Sequence, residues 1–287
     1  MTWMRSPSGS SPLSIIASVS RTIEFKTPAQ MAIMAKAGVI VERALAAARA
    51  AAVAGATTAD LDAAAAQVIA DAGATSNFYG YHGFPATSCV SVNEEVVHGI
   101  PGARVLADGD VVSVDCGAIV DGWHGDSAVS FIVGEPLSHQ DVDLVEQTRR
   151  SLWAGIAALS TATRLDTVSA AIEDVADAAG LFPLEGYVGH GIGTAMHQAP
   201  DVLNYRARGK GARVQPGLCI AIEPMLVIGT GDSEVLDDNW TVVSADGSRA
   251  AHWEHSVAVH DKGIWVLTAS DGGASGLAPW GVAPVAP

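Results

Sequence analysis

The sequence predicts a single α+β domain built from two similar halves. GATTADLDAAAAQVIADAG at 55–73 resembles TATRLDTVSAAIEDVADAAG at 161–180, and GYHG in the first half resembles GYVG in the second. A third match aligns DGDVVSVD with QPGLCIAIE and sets Asp115 against Glu223. Each half therefore supplies helices, a glycine turn and a strand that carries a carboxylate, and we expect sheets that meet at a central site.

The repeated helices carry their own start and stop signals. Each begins near threonine, a residue that caps helix N-termini, and ends near glycine, which commonly ends helices. Between these signals, alanine-rich amphipathic runs favour helix. One face of each helix is therefore expected to pack on a sheet.

Residues 111–133 predict an antiparallel hairpin. Val111–Ile119 and Trp123–Val133 alternate in hydrophobicity and are rich in Val and Ile, which is typical of strands. Asp121-Gly122 lies between them and is a strong signal for a two-residue turn. The turn sets the register of the two strands.

This hairpin places two carboxylates close together. With Val120 opposite Trp123, antiparallel pairing sets Asp126 opposite Gly117, which shares a strand face with Asp115. The two carboxylates are then diagonal neighbours, with backbones roughly 7–8 Å apart. Bare carboxylates at this spacing repel, and a divalent cation between them removes the repulsion. The alternative is that one aspartate caps a turn while the other faces water.

Polar residues also interrupt apolar strands in the second half. They are His190, His197, Glu223, and Glu254 with His252 and His255 on either side of it. Together with the two aspartates, they provide four carboxylates and a glycine-flanked imidazole. This set suits two divalent ions bridged by shared carboxylates better than one structural zinc. Two-metal sites of this kind activate water for hydrolysis.

Composition restricts the class of protein further. A net charge of −15 over 287 residues argues against nucleic-acid binding, which requires a basic surface. Cys89, Cys116 and Cys219 form no CxxC pair, which argues against a zinc finger or a disulfide framework and indicates the cytoplasm. No apolar run approaches the ~20 residues of a membrane helix, so we expect no membrane partner.

Five motifs together resemble the type I methionine aminopeptidases over roughly residues 22–268. They are YGYHGFPATSCVSVNEEVVHGIP, VVSVDCGAIVDGWHGDSAVSF, GYVGHGIGTAMHQAP, CIAIEPM and WTVVSADGSRAAHWEHSVAV. The resemblance implies the pita-bread fold, in which central antiparallel sheets with internal pseudo-twofold symmetry are flanked by helices. It also implies metal-dependent removal of the initiator methionine from nascent proteins, with a small second residue preferred.

The resemblance also implies the metal ligands and their roles. Asp115 would bind one ion in bidentate fashion, Asp126 and Glu254 would bridge both ions, and His190 and Glu223 would complete the other position. Two divalent ions per chain are expected, and the ligand set admits Co, Mn, Fe or Zn. A hydroxide bridging the two ions would attack the scissile carbonyl.

Three residues match the catalytic positions of the family. His98 would hydrogen-bond the amide nitrogen of the substrate, and His197 would help to stabilise the oxyanion. Glu223 would carry the proton of the attacking water to the leaving amine. The alternative for His98 is a turn residue in front of Gly99.

The methionine pocket is expected to be lined mostly by apolar side chains. Phe84 replaces a tyrosine that the family often has, and Met196 replaces an aromatic residue, so the shape of the pocket can differ. The predicted substrate-binding residues are Tyr81, Phe84, Cys89, His98, Met196, His197 and Trp240.

Three other readings compete with this one. Xaa-Pro aminopeptidases share the fold and the metals but usually add a large N-terminal domain, whereas about 22 residues precede the match here. Type II methionine aminopeptidases carry a helical insert between the second catalytic histidine and the glutamate. In this sequence the matching residues, His197 and Glu223, are only 26 positions apart. A catalytically inactive binding module should lack ligands, and all five are present.

The chain ends are expected to lie outside the catalytic domain, which we assign to 24–270. Residues 1–23 are predicted to be a flexible tail, with a weak export signal as the alternative. Residues 271–287 are rich in Gly, Ala and Pro and are predicted to be a disordered tail. We expect a monomer whose partners are the N-termini of nascent chains. Residues 1–23 lack the cysteine-rich zinc region of some relatives, so we do not expect docking on the ribosome through this tail. Any contact with the ribosome is expected to be transient.

Overall fold

Helices and antiparallel strands alternate along residues 22–287, the part of the chain that this computed structural model describes. The helices are α1 (Pro28–Ala51), α2 (Thr58–Asp71), α3 (His139–Leu159), α4 (Asp166–Ala179) and α5 (Ala274–Leu277), with 3₁₀ turns at Tyr81–Gly83 and Ala278–Trp280. The strands are β1 (Thr75–Ser76), β2 (Ser88–Val92), β3 (Glu95–Val97), β4 (Val111–Val120), β5 (Trp123–Ile132), β6 (Phe182–Pro183), β7 (Gly189–Gly191), β8 (Gln198–Val202), β9 (Cys219–Ile222), β10 (Met225–Val227), β11 (Ser233–Val235), β12 (Val242–Ser244), β13 (Ala250–His252), β14 (Glu254–His260) and β15 (Gly263–Val266).

Local capping explains where the helices begin and end. The Thr27 side chain accepts a hydrogen bond from the Gln30 N–H, and the Gln30 side chain accepts one from the Thr27 N–H, at the start of α1. Thr57 and Asp60 form the same capping box at the start of α2. α4 ends at Gly180, whose φ is 66°. The two helices predicted from the repeat are confirmed as α2 and α4.

One nine-stranded antiparallel sheet joins the two halves. Along the path β1-β4-β5-β14-β9-β7-β8, β14 pairs with β5 of the first half and with β9 of the second, while β2 and β15 pair with β4 and β14. Two three-stranded sheets lie apart from it, in the orders β13-β10-β6 and β11-β12-β3. The predicted α+β architecture is confirmed, with the difference that the halves share one continuous sheet.

The β4–β5 hairpin has the predicted register. Val120 pairs with Trp123, and Gly117 pairs with Asp126. The two residues of the turn, Asp121-Gly122, have φ values of 50° and 79°. Positive φ at both positions fits the tight turn that best matches the twist of the strands. The turn therefore fixes where the Asp126 carboxylate stands on the sheet.

Two apolar cores lie against the sheet, one under each pair of long helices. α1 and α2 cover β2 and β4, and α3 and α4 cover β9, β14 and β15. Glycine lets α1 approach β5 closely, because a Cβ on Gly125 would lie 2.8 Å from the Gly38 nitrogen. The strand that carries Asp126 is thus supported directly by α1.

Residues 271–287 correct the prediction of a disordered C-terminal tail. They form α5 and a 3₁₀ turn, and Leu277 is fully buried in the core. The Val285 N–H donates to the Ile264 carbonyl at 2.9 Å, which ties the segment to β15. A single buried leucine and this backbone bond order a stretch whose composition suggested disorder.

Small residues explain the error, since they also permit close packing. A Cβ on Gly276 would lie 2.2 Å from the Trp153 ring, so the absence of a side chain lets this segment lie against α3. Composition alone does not distinguish a glycine in a flexible tail from one under an aromatic ring.

The predicted N-terminal tail at 1–23 lies outside the described residues except for its last two. Of these, Ile23 is partly buried and packs against the core beneath α3 and α4. Between residues 22 and 287, no helix is both long enough and apolar enough to cross a bilayer.

Candidate active site

Five consecutive strands of the large sheet each bring one predicted metal ligand to the same region. Asp115 lies on β4, Asp126 on β5, and Glu254 is the first residue of β14. Glu223 directly follows β9, and His190 is the central residue of β7. Because β4, β5, β14, β9 and β7 are neighbours in that order, residues far apart in the chain become adjacent.

Distances among these side chains suit shared metal ions. Ligand atoms of Asp126, His190 and Glu254 all lie within 4.8 Å of one another, and so do those of Glu223, His252 and Glu254. His190 Nε2 lies 3.3 Å from Glu223 Oε1. Glu254 belongs to both groups, which is the position that a bridging carboxylate requires.

The carboxylates are unfavourable as bare anions. Asp115, Asp126 and Glu254 are 8%, 3% and 2% exposed, and one carboxylate oxygen of each has no hydrogen-bond partner among residues 22–287. Burial raises the pKa of Asp115 to about 8. Burial and the charges of neighbouring carboxylates raise the pKa of Asp126, Glu223 and Glu254 well above their ordinary values.

This donor set fits two divalent metal ions. Uncompensated charge in a buried site is costly, and cations placed among the carboxylate oxygens that lack donors would remove that cost. Asp115 joins neither of the two ligand groups above, yet after burial its charge is the largest cause of the raised pKa of Asp126. It therefore extends the cluster at the Asp126 end.

Buried serines hold the strands that carry the bridging candidates. The Ser256 hydroxyl donates to the Asp126 carbonyl at 2.8 Å and accepts from the Asp126 N–H at 3.1 Å. The Ser127 hydroxyl donates to the Glu254 carbonyl at 2.5 Å. Each serine lies on the strand opposite the residue it holds, so the spacing between β5 and β14 is fixed on both sides.

His190 is held in the form that binds metals. Its Nδ1–H donates to the Gly191 carbonyl at 3.0 Å, which leaves Nε2 unprotonated and facing Glu223. Burial lowers the pKa of His190 to about 4, so the ring is neutral near pH 7. A neutral ring with a free Nε2 lone pair is ready to coordinate a cation.

The two predicted catalytic histidines lie beside the cluster. The His197 ring is 4.3 Å from the His190 ring, and its Nδ1 lies 2.7 Å from the Tyr81 hydroxyl. His98 has a φ of 62°, as a turn residue does, and its ring lies 6.3 Å from that of Trp240. Desolvation lowers the pKa of His98 to about 4. The pKa of His197 is lowered by desolvation first and by the neighbouring imidazoles second. Both rings are therefore neutral hydrogen-bonding groups near pH 7.

Five of the seven predicted substrate-binding residues, all except the two histidines, lie together. Phe84, Cys89 and Met196 are buried in one apolar cluster, and Tyr81 and Trp240 pack against it at the edge. The rings of Phe84 and Trp240 meet edge to face, with centroids 5.0 Å apart. A cluster of aromatic and sulfur-containing side chains thus lies next to the carboxylates, since Cys89 pairs with Asp115 across β2 and β4.

Residues 32–261 match the model of metallopeptidase family M24. The chain belongs to metallopeptidase family M24. It is 52% identical over 255 residues to methionine aminopeptidase 1 of Mycobacterium tuberculosis (strain CDC 1551 / Oshkosh), covering 86% of this chain and 96% of the relative. It is 42% identical over 243 residues to methionine aminopeptidase 1 of Bacillus subtilis (strain 168), covering 85% and 98%. The predicted resemblance to type I methionine aminopeptidases is confirmed.

Solved structures of M24 peptidases have the same fold. A methionine aminopeptidase from Thermotoga maritima superposes with a TM-score of 0.83 at 39% identity, covering 86% of this chain and 99% of that one. A prolidase from Pyrococcus furiosus superposes with a TM-score of 0.68 at 18% identity, covering 86% and 65%, which shows the fold alone. The predicted pita-bread fold is confirmed.

Three residues of this M24 site were not among the predicted site residues. Phe78 belongs to the apolar cluster around Met196, and Ile100 packs against it. His252 Nε2 lies 3.8 Å from Glu223 Oε2 and has no hydrogen-bond partner in the described part of the chain. Two of the three had a signal in the sequence. Phe78 is an aromatic residue just before the GYHG turn, and His252 stands two residues before the predicted ligand Glu254. Ile100 had no such signal.

Proposed function

We propose that this M24 peptidase removes the N-terminal methionine from nascent polypeptides and prefers a small second residue. The observation that carries the proposal is the contact between the carboxylate cluster and the apolar pocket. Cys89 of the pocket pairs directly with Asp115 of the cluster across β2 and β4. A methionine side chain in the slot would therefore hold its own peptide bond next to the cluster. Likeness to proteins named methionine aminopeptidase 1 supports the same activity.

The proposal assigns a role to each metal ligand. Asp115 would hold one ion, Asp126 and Glu254 would be shared by the two ions, and His190 and Glu223 would hold the second ion. When bound, the two ions supply the Lewis acidity that activates water for hydrolysis. The unpaired oxygens of Asp115, Asp126 and Glu254 and the free Nε2 of His190 support these roles. Co, Mn, Fe or Zn would suit this mixture of oxygen and imidazole donors.

The remaining chemistry depends on neutral side chains around the peptide bond. The Tyr81 hydroxyl lies 2.7 Å from His197 Nδ1. By donating to Nδ1 it would keep the His197 proton on Nε2, from which the ring would donate to the carbonyl oxygen as negative charge develops. His98 hydrogen-bonds the scissile amide and orients it. Glu223 moves a proton to the nitrogen of the leaving amine. Each of these groups lies within or beside the cluster.

The pocket accounts for selectivity at the first residue. Phe84, Cys89 and Met196 are each no more than 5% exposed, so a side chain entering the slot would exchange water for apolar and sulfur contacts. The second residue of the substrate would lie at the rim near His98 and His197. We expect small residues such as alanine, glycine or serine there.

The competing activities have less support. The prolidase that superposes on this chain does so at 18% identity, and this chain covers only 65% of it. An inactive binding module would have no need of unpaired carboxylates buried together, whose pKa values burial raises. We propose further that the chain acts as a monomer in the cytoplasm and meets its substrates as they leave the ribosome.

Peptide hydrolysis tests the proposal directly. Metal-stripped protein would be titrated with Co²⁺, Mn²⁺, Fe²⁺ or Zn²⁺ and assayed with Met-Ala-Ser and with an Ala-Pro peptide. We expect metal-dependent release of methionine and little cleavage of the Ala-Pro bond. Preferential cleavage of the Ala-Pro peptide would establish the prolidase-like activity, and no cleavage of either with any ion would leave the inactive module.

A further inference from the structure

The segment in front of α1 is hydrogen-bonded to the loop that carries Met196 and His197. We propose that Glu24 and Lys26 of this segment position that loop, and so act as positioning residues for the reaction. The inference rests on the proposed function, because the loop contributes to both the pocket and the oxyanion contact. We call Glu24, Lys26, Thr194 and Gln198 the brace.

The Glu24 carboxylate makes three hydrogen bonds to the loop. It accepts from the Thr194 N–H at 3.1 Å, from the Thr194 hydroxyl at 2.8 Å and from Gln198 Nε2 at 2.7 Å. These bonds grip the loop on both sides of residues 195–197. A carboxylate that accepts several hydrogen bonds is favoured in its charged form, and the pKa of Glu24 is lowered, although partial burial opposes the effect.

Lys26 supplies a buried positive charge behind this contact. Its side chain is 1% exposed, and Nζ donates to Gln198 Oε1 at 3.0 Å and to the Glu24 carbonyl at 2.8 Å. Nζ also lies 3.5 Å from Glu24 Oε2. A buried ammonium is costly without partners, and both of these side-chain partners belong to the brace. Gln198 therefore bonds to the cation and the anion at once.

Close approach on both faces leaves the loop little room to move. A Cβ on Gly193 would lie 2.3 Å from Glu24 Oε2 and 2.3 Å from Lys26 Cε, so the loop touches the brace with bare backbone. On its other face, the Gly193 carbonyl accepts the His124 N–H at 2.9 Å. His124 lies on β5, two residues before Asp126. The loop is thus clamped between the brace and a strand of the metal centre.

Two functional side chains lie between the clamped ends of the loop. Met196 is buried in the pocket, and His197 reaches the Tyr81 hydroxyl at 2.7 Å. With Thr194 and Gln198 fixed on either side, a shift of the loop would move both side chains relative to the metals. A displacement of about 1 Å in a reacting group can lower turnover strongly.

An exchange of partners tests the brace. Glu24→Gln removes the anion beside Lys26 and replaces one of the two accepting oxygens with an NH₂ group, so the three bonds to Thr194 and Gln198 can no longer all be accepted by a carboxylate. Glu24→Gln combined with Gln198→Glu restores a carboxylate–amide pair and keeps the carboxylate within reach of Lys26. Glu135→Gln removes an exposed carboxylate outside the brace and serves as the matched control. Each protein would be measured for bound metal, for kcat and KM with Met-Ala-Ser, and for hydrogen exchange of the backbone amides at 193–198.

We expect the backbone amides at 193–198 to exchange faster in Glu24→Gln, with unchanged metal content. Its kcat/KM should fall about tenfold, mainly through kcat, which corresponds to the loss of one hydrogen bond. The double variant should recover both quantities, and Glu135→Gln should match the wild type. If Glu24→Gln does not fold, Thr194→Val, which removes one hydroxyl, should show a smaller change of the same kind.

Wild-type exchange and kcat in Glu24→Gln, or a double variant no better than the single one, would overturn the proposal. Failure of the wild type itself to cleave Met-Ala-Ser would contradict the proposed function, and the exchange rates would still decide whether the brace holds the loop.

Discussion

Asp126 is one of the two carboxylates proposed to bridge the metal positions. It shares a ligand group with His190 and Glu254. Burial is the largest cause of its raised pKa, followed by the charges of Asp115 and Glu223. Replacing one oxygen with an amide nitrogen removes both the charge and one donor atom. The consequence should therefore appear in metal binding as well as in turnover.

We expect Asp126→Asn to abolish turnover and to lower the bound metal below two ions per chain. Elemental analysis and the Met-Ala-Ser assay measure the two effects on the same sample. Asp121→Asn, in the turn of the same hairpin, is the control, since asparagine tolerates its φ of 50°. An Asp126→Asn protein with full metal content and wild-type turnover would exclude Asp126 as a bridging ligand.

His98 and His197 should separate from the ligands in such measurements. We expect His98→Ala and His197→Ala to keep their metal and to lose on the order of 10²–10³ in kcat, the effect of removing one donor to a developing oxyanion or scissile amide. His139→Ala, at the exposed start of α3, is the control. Loss of metal in either active-site variant would instead make that histidine a ligand.

The β4–β5 hairpin and the β14 strand differ in how far the sequence could predict them. The hairpin was predictable because Asp121-Gly122 is a local turn signal and the alternation of side chains fixes the faces. The position of β14 between β5 and β9 was not, since its pairing joins Glu254 to Ala128 and has no local signature. The candidate ligands could still be chosen from the sequence, because each carboxylate lies within an apolar strand or at its end.

The environment of those ligands was harder to predict than the ligands. The contact of His252 with Glu223 appears only once β13 brings its ring there, and the brace depends on contacts between residues 24 and 198. The prediction of disorder at 271–287 was wrong for the same reason, because the burial of Leu277 depends on tertiary packing. Local patterns predict which residues are unusual, and packing decides what they touch.

We expect the loop between β7 and β8 to set the width of the proposed methionine pocket, because Met196 of this loop packs against Phe84 and Cys89. Methionine is narrower and more pliable than phenylalanine, so the wild type should accept bulkier first residues than Met196→Phe does. One methylene in an apolar pocket changes discrimination by only about 1–3 kcal/mol, so norleucine should substitute tolerably for methionine. Leucine should be poor because its branch at Cγ needs more width.

Values of kcat/KM for Met, norleucine and Leu tripeptides would test this in both proteins. We expect Met196→Phe to raise the Met/Leu ratio above that of the wild type. Replacing Met4, which lies outside the described residues, with phenylalanine is a composition-matched control. An unchanged Met/Leu ratio in Met196→Phe would remove Met196 from the pocket.

The stability of the whole molecule should fall with rising pH when the metal is absent and change little when the metal is bound. Without metal, the folded protein holds its carboxyl cluster at raised pKa, with Asp115 at about 8, so the folded state binds more protons than the unfolded chain. This stabilisation is complete below the unfolded pKa of about 4 and is lost as the pH rises through the folded pKa. Buried histidines such as His190, with a pKa of about 4, act in the opposite direction only below pH ~6.5.

The window from pH ~6.5 to ~8 therefore isolates the carboxylates. We expect the metal-free protein to lose about 1–2 kcal/mol of stability across it from Asp115 alone, and its Tm to fall by a few degrees. Bound divalent ions replace the protons, so the metal-loaded protein should hold its Tm and the gain from metal should grow with pH. Calorimetry with and without chelator measures both curves. Asp126→Asn has one carboxyl fewer and should show a shallower fall, whereas a metal-free Tm that rises between these pH values would show that the cluster is not held protonated.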